Sequence, residues 1–591
     1  MDLEKTLDDY MKKVGISKNQ NIIKKLQSRI IDERDRKSKI SIDDMVSRIK
    51  DGDYKQSSLD FILLTRPHQF NKLLTQIIKD MDSLYSSSLD SFKFNASLFL
   101  INITLNLKSY LPYWNLMNED INPNSILNES QIDNFIDESR KLLEKWEKKN
   151  GDIKKAVLHS LIKITRERLE SEDVSKNKIN GEAYNSVGKS LKNYIDHMFS
   201  FIDMSNLLKI SKLRNSGDTT TELGNDYAAH LLEAMWLGAS FVTTNPQLAY
   251  VNYDRKLDIS DTQIDSIISQ FLHDHGIKSD KKITQETIEE LTDIFTAEVV
   301  INNASLLRDV FLLTEGNKGY VCLQVNPLYH RDTEKMLEQA LKIFTYLYKR
   351  IGGVPNVVFK LPGTKAGLEA QKILTSIGIG ANITVEFGLF QIIPFAKTID
   401  TNNTIISHLT LMNGRLAFPI RDELLSLGVP NAKEAAQWAG VAVGKKAFNL
   451  LYSKQHLDLG PSRIKLLIAS LRNYSNFFPD ITELIGAPII TVFPNIRNQF
   501  DSTTCNIDPH AIKKPVDENI IKILSKSEIF KQAYYLPGDP EYLKPKSVLS
   551  LDNTEAVINW IPIKATLDAF ITARQMTEME LQKRVINILN T

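Results

Sequence analysis

From about Asn206 onward, short strand-forming runs alternate with longer segments of helical period, and this rhythm restricts the possible folds more than any other feature. The runs are Leu208–Asn215, Ser240–Thr244, Tyr320–Val325, Val357–Leu361, Ala381–Phe387, Ser407–Met412, Lys465–Ser470 and Ile489–Val492. Helical patterns lie between them at Tyr227–Leu237, Glu334–Arg350, Lys365–Ser376, Ala432–Tyr452 and Asn476–Ile485. Strands separated by helices pair in parallel, and eight of them close into an α/β fold, the (β/α)8 or TIM barrel. The long interval from Pro246 to Gly319 is expected to hold several helices. Ile558 to Leu589 continues in helical period and is expected to close over one end of the barrel.

The first two hundred residues read differently. They are rich in Lys, Asn, Ser, Asp and Ile, and apolar residues recur at helical spacing, as at Ile22, Ile23, Leu26 and Ile30. This predicts a mostly helical N-terminal domain over 1–200, followed by the barrel over 201–591. Polar breaks are expected near Ser38, Ser86 to Ser88 and Asn118 to Asn128, and a loop or linker from Glu170 to Gly188. Acidic and basic residues nearly cancel, giving a net charge of +1, which argues against a nucleic-acid or membrane-surface binder. Two cysteines, Cys322 and Cys505, are too few for a disulfide framework. The charged start, MDLEKTLDDYMKK, has no signal-peptide core, and no run of about 18 apolar residues could form a transmembrane helix. A cytoplasmic protein is expected.

In a barrel of this kind the strand ends at the C-terminal face carry the chemistry. Lys360 stands there, inside the apolar run VVFKL, and lysine is rarely buried without a partner or a task. Removal from water favours the neutral amine. Such an amine attacks a ketone or aldehyde to form an iminium, an electron sink for breaking or making the adjacent carbon–carbon bond. Two arginines and a serine at neighbouring strand ends, Arg415, Arg472 and Ser470, suit a phosphate. The alternative is structural: a lysine on an edge strand, or one that points outward and snorkels. The ten histidines form no H-x-x-x-H or H-E-x-x-H pattern, so no metal is expected. The glycines form no nucleotide-binding motif, and no cofactor is expected.

Six motifs in order bear on that choice. They are FVTTNPQL (Phe241 to Leu248), CLQVNPLYHRDTE (Cys322 to Glu334), VFKLPGTKAG (Val358 to Gly367), GANITVEFG (Gly380 to Gly388), LTLMNGRL (Leu409 to Leu416) and IASLRN (Ile468 to Asn473). Together they resemble the strand-end motifs of the transaldolase family over roughly residues 206 to 500. The resemblance implies a Schiff base on Lys360. It implies that Thr244, Asn245 and Thr384 orient substrate hydroxyls and water, that Thr410 takes a serine position, and that Arg415, Ser470 and Arg472 bind phosphate. The implied substrates are sugar phosphates, with a dihydroxyacetone unit transferred or released from a ketose phosphate.

Two departures stand out. The family's first strand ends in D-T-G-D, whose first aspartate moves protons; the stretch matched to it here is Asn215-Ser216-Gly217-Asp218. The third strand's glutamate is Gln324. An amide can orient water but cannot take and return a proton. Asp218, Glu386 two residues beyond Thr384, or a water is then expected to move the protons. Two further readings stay open: a degenerate barrel that binds sugar phosphate in a regulatory role, and an N-terminal region that contacts a protein partner or forms a homo-oligomer.

Overall fold

The computed structural model describes residues 3–15, 21–65, 67–109, 129–279, 282–540 and 543–590. Its centre is a closed barrel of eight parallel strands in sequential order, with the last paired to the first. The strands are β1 (Glu222–Asn225), β2 (Ala239–Val242), β3 (Tyr320–Gln324), β4 (Val357–Pro362), β5 (Ala381–Glu386), β6 (Ser407–Leu411), β7 (Ile464–Ile468) and β8 (Ile489–Val492). Seven of the expected runs overlap β2 to β8. Their β-branched and aromatic side chains pack on both faces of the sheet, as a parallel sheet flanked by helices requires.

The first strand is elsewhere than expected. Leu208–Asn215 lies within a helix, Asn206–Asn215, capped by the Ser205 hydroxyl, which accepts from Leu208 N at 3.2 Å. Apart from Ile210 its apolar residues are leucines, which suit a helix, and the cap fixes its start. The true β1 reads Glu-Leu-Gly-Asn, with Leu223 its one apolar side chain. Gly224 is required there by space: a Cβ on it would lie 2.6 Å from Thr491 Cγ2 on β8.

Other elements differ in extent. Glu170 to Gly188 is not a linker. The helix Gly151–Ser171 runs into it and a second helix, Lys176–Val187, follows, with Ile179 and Ala183 packed on Leu169. The Tyr227 pattern shortens to Leu231–Trp236, and the Ala432 pattern breaks at Gln437 and Trp438. The Asn476 pattern keeps only Pro479–Thr482. The interval before β3 holds the helices Pro246–Arg255, Asp261–Asp274, Gln285–Leu306 and Arg308–Leu313. The closing helix is Ile561–Asn590. The breaks at Ser38 and Ser86 to Ser88 fall between helices; Asn118 to Asn128 lies outside the described residues.

The N-terminal helices share one apolar core with the barrel. Helix Ile22–Lys37 lies across the N-terminal end of the strands. Ile22 and Leu26 sit over Gly378 before β5, and Ile30 reaches Gly316 before β3 alongside Ile405 before β6. Arg308 fastens it, with Nε donating to Glu33 Oε1 at 2.9 Å and Nη1 to Val354 O at 2.6 Å. The same end of the barrel holds a buried ion pair, Lys465 Nζ to Glu222 Oε1 at 2.7 Å, beneath His408, which burial keeps neutral. Lys318 Nζ stands farther off, 3.7 Å from Glu222 Oε1, so removing Lys465 leaves the buried carboxylate with one more distant cation. Lys465→Ala is therefore expected to cost up to about 3–5 kcal/mol, the scale of a fully broken buried pair, read as a fall in the urea midpoint of unfolding, with Lys465→Ala/Glu222→Gln recovering part of the loss.

Candidate active site

The opposite, C-terminal end of the barrel gathers most of the polar residues singled out in the sequence. Gln324, Lys360 and Asn382 lie side by side across β3, β4 and β5, because strand register pairs Gln324 with Lys360 and Lys360 with Asn382. Pro362 pairs with Thr384, so that threonine lies two residues farther up β5 on the same face. Lys360 is 3% exposed, and its Nζ donates to Thr244 O at 3.1 Å. Thr244 Oγ1 donates to Cys322 O at 2.6 Å, and Asn382 Nδ2 to Cys322 Sγ at 2.7 Å. Thr410 Oγ1 donates to Asn382 Oδ1. These bonds hold the walls around the amine. Burial pushes the Cys322 thiol up to about 12, so it serves as a small neutral core group. Gln324 Oε1 is buried and has no hydrogen-bond partner, an acceptor left over for water or a ligand.

A carboxylate absent from the sequence reading completes the group. Asp226 follows β1 directly, and its N–H donates to Val492 O at 3.1 Å, extending the ladder. Its Oδ1 accepts from Thr243 Oγ1 at 2.6 Å. Burial raises its pKa, and Lys360 is the first of the groups that pull it back, followed by Thr243, Arg415 and Arg472. Asn225 fixes the loop beyond by donating from Nδ2 to Tyr227 O and Ala229 O.

Asn215 and Asp218 are not part of this site. Asn215 ends the helix that precedes β1, and Asp218 is solvent-exposed, accepting from Ser216 Oγ at 2.6 Å. Both lie ahead of β1, toward the N-terminal end of the barrel and away from Lys360. The carboxylate at the end of the first strand is Asp226, not an amide. The expectation for Glu386 rested on strict alternation from Thr384, and β5 breaks it. Val385 has φ +58°, and the register with β6 shifts between Ile383 and Glu386. The Glu386 carboxyl is fully buried, and burial drives it toward its neutral form, opposed only by the backbone of Thr410.

Arg415 and Arg472 rise from the loops after β6 and β7, with Ser470 between them at φ +61°. Neither arginine has a carboxylate partner among the described residues, whereas Arg308, Arg497, Arg574 and Arg584 all do. Arg415 Nε is buried and unbonded, and the charge of Arg472 adds to burial in lowering its pKa. Two nearby guanidinium groups with no carboxylate at ion-pair distance among the described residues make a place for an anion. Asn245 caps the helix Pro246–Arg255, its Oδ1 accepting from Leu248 N at 3.0 Å.

A family model described as Transaldolase/Fructose-6-phosphate aldolase matches residues 232–533, just over half of the chain. The chain belongs to the transaldolase/fructose-6-phosphate aldolase family. It is similar to Transaldolase 2 of Streptomyces avermitilis, with 30% identity over 182 residues, 29% of this chain and 47% of that protein. A transaldolase of Neisseria meningitidis is 26% identical over 201 residues, 31% of this chain and 54% of its own length. The chain thus spans about half the length of these relatives. The match to the transaldolase-family model begins after β1, so Asp226 is placed by the barrel and not by the alignment.

This transaldolase-family barrel is roofed by its closing helix. Thr566 Oγ1 accepts from Arg415 Nη1 at 3.3 Å, and the Phe570 ring faces the same guanidinium. Farther along, Arg574 pairs with Asp293 and Glu578 and, with Thr577, borders Thr244, Asn245 and Gln324. A cleft of about 780 Å³ beside Trp560, Phe418 and Ile529 reaches Arg415 and Arg472. No group of three or more His, Cys, Asp or Glu side chains able to hold a metal occurs among the described residues. No described helix is long and apolar enough to cross a membrane.

Proposed function

We propose that this barrel is a Schiff-base enzyme that transfers or releases a dihydroxyacetone unit from a ketose phosphate. The observation that carries the reading is the burial of Lys360 at the C-terminal barrel end between Gln324 and Asn382, with Asp226 directly after the first strand and Arg415 and Arg472 in the loops after the sixth and seventh. The Lys360 amine adds to the ketose carbonyl, and loss of water gives an iminium. Asp226 takes the proton of the C4 hydroxyl, the C3–C4 bond breaks, and its electron pair moves into the iminium to form an enamine. The aldehyde phosphate leaves. The enamine then adds to a second aldehyde, or is protonated at carbon, and hydrolysis frees Lys360. Gln324 and Thr384 orient the water that makes and hydrolyses the iminium. Arg415, Arg472 and Ser470 hold the phosphate, and Thr244, Thr410 and Asn245 shape the sugar site. The binding-only alternative drew on two amides, of which only Gln324 now stands at a strand end of the site.

Borohydride reduction in the presence of fructose 6-phosphate or dihydroxyacetone tests this. The expected result is a stable adduct, located by peptide mass spectrometry on Lys360. An adduct on another lysine, or none with either ketose, would sink the Schiff-base assignment.

A further inference from the structure

The two loops that carry the arginine pair are joined by one buried carboxylate. Asp480, at the start of the short helix Pro479–Thr482, is 1% exposed. Its Oδ1 accepts from Asn413 Nδ2 and its Oδ2 from the backbone N–H of Arg472, both at 2.9 Å. Asn413 and Arg415 lie in the loop after β6, Ser470 and Arg472 in the loop after β7. At Gly414 these loops touch: a Cβ there would lie 2.1 Å from Ser470 O, 2.9 Å from Arg472 Cγ and 2.9 Å from Asp480 Oδ2. One side chain therefore fixes the spacing of two guanidinium groups that otherwise have no carboxylate to hold them.

We propose that Asp480 is a positioning residue for the anion site, stapling the β6 and β7 loops so that Arg415 and Arg472 converge on one phosphate group. This rests on the reading that those arginines hold the substrate's phosphate. Burying a carboxylate among apolar neighbours is unfavourable, and the raised pKa of Asp480, pushed up to about 7, reflects that cost. Packing alone would be better served by an apolar residue of the same size. The two donors it accepts from are instead the amide of one loop and the main chain of the other. Asp480 does not reach the reacting carbons and has no part in the bond-breaking step.

Titration calorimetry with inorganic phosphate tests the staple without any need for turnover. Asp480→Ala loses both bonds and should bind phosphate about tenfold more weakly or worse, approaching Arg472→Ala. Asp480→Asn keeps one acceptor, and Asn413→Ala keeps the carboxylate; each should be intermediate and preserves a readout if the alanine variant does not fold. In turnover, KM for fructose 6-phosphate should rise with kcat nearly unchanged, while trapping of unphosphorylated dihydroxyacetone on Lys360 stays at the wild-type level. A folded Asp480 variant that binds phosphate like wild type overturns the proposal, as does a wild type that binds no phosphate. Failure of the Schiff-base reading registers separately, as absence of the trapped adduct in wild type.

Discussion

Lys360→Met should abolish turnover of fructose 6-phosphate, with kcat lowered on the order of 10⁴-fold or more, the scale of losing a covalent catalytic group. Methionine keeps the length and apolar stem of lysine, so the interior it fills stays packed. What disappears is the amine. Without it no iminium forms, and the electron pair of the C3–C4 bond has no sink. Asp226 also loses the first of the cations that act on it, so its carboxyl should become still harder to ionise. The measurement is a steady-state assay of the wild type and Lys360→Met, paired with phosphate titration. Phosphate affinity should be nearly unchanged, because Arg415 and Arg472 stand in the loops after β6 and β7, away from β4. A Lys360→Met enzyme that turns over within tenfold of wild type would mean that the carbon–carbon bond is broken without a Schiff base.

The strands from β2 to β8 are legible because each carries two or more apolar residues, most of them including β-branched ones, and stops at a turn signal. β1 is not, because its inward face is polar and its outward face is covered by one leucine. Glu222 meets Lys465, Gly224 admits Thr491, and Asn225 holds the loop, so hydropathy has almost nothing to register. The helix ahead of it offers a more apolar run, which reads as a strand in its place. That one displacement moved the acid–base position from Asp226 to Asn215 and created an amide where the barrel has a carboxylate. Lys360, Gln324, Thr384, Arg415 and Arg472 were readable because they sit at the ends of strongly patterned strands. The bulge at Val385 was not, since it depends on the register of β6. Nor was the seating of helix Ile22–Lys37 under the barrel, because amphipathic period gives a buried face but not the surface that buries it.

Asp226→Asn should lower kcat by about 10²–10⁴-fold, the usual contribution of a positioned general acid–base group, while the borohydride-trapped adduct on Lys360 persists. The substitution is nearly isosteric, and Thr243 Oγ1 still finds an acceptor in the amide oxygen. The pH dependence fixes the sign. Cleavage needs the ionised carboxylate, and burial holds the Asp226 pKa above the ordinary aspartate value. In wild type kcat/KM should therefore fall as pH drops through that raised pKa, at a pH where an exposed aspartate would still be charged. That limb should vanish in Asp226→Asn. Stability should move the other way. A carboxyl whose folded pKa lies above its unfolded value stabilises the fold below the unfolded pKa, and that contribution is lost as pH rises through the folded pKa. Replacing it with a neutral amide removes the cost of a buried charge in the alkaline range, so the thermal midpoint of Asp226→Asn at pH 8 should equal or exceed that of wild type. Loss of activity together with a lowered midpoint would point to a structural role for Asp226. Loss of activity with an unchanged adduct and an undiminished midpoint would tie the defect to the proton.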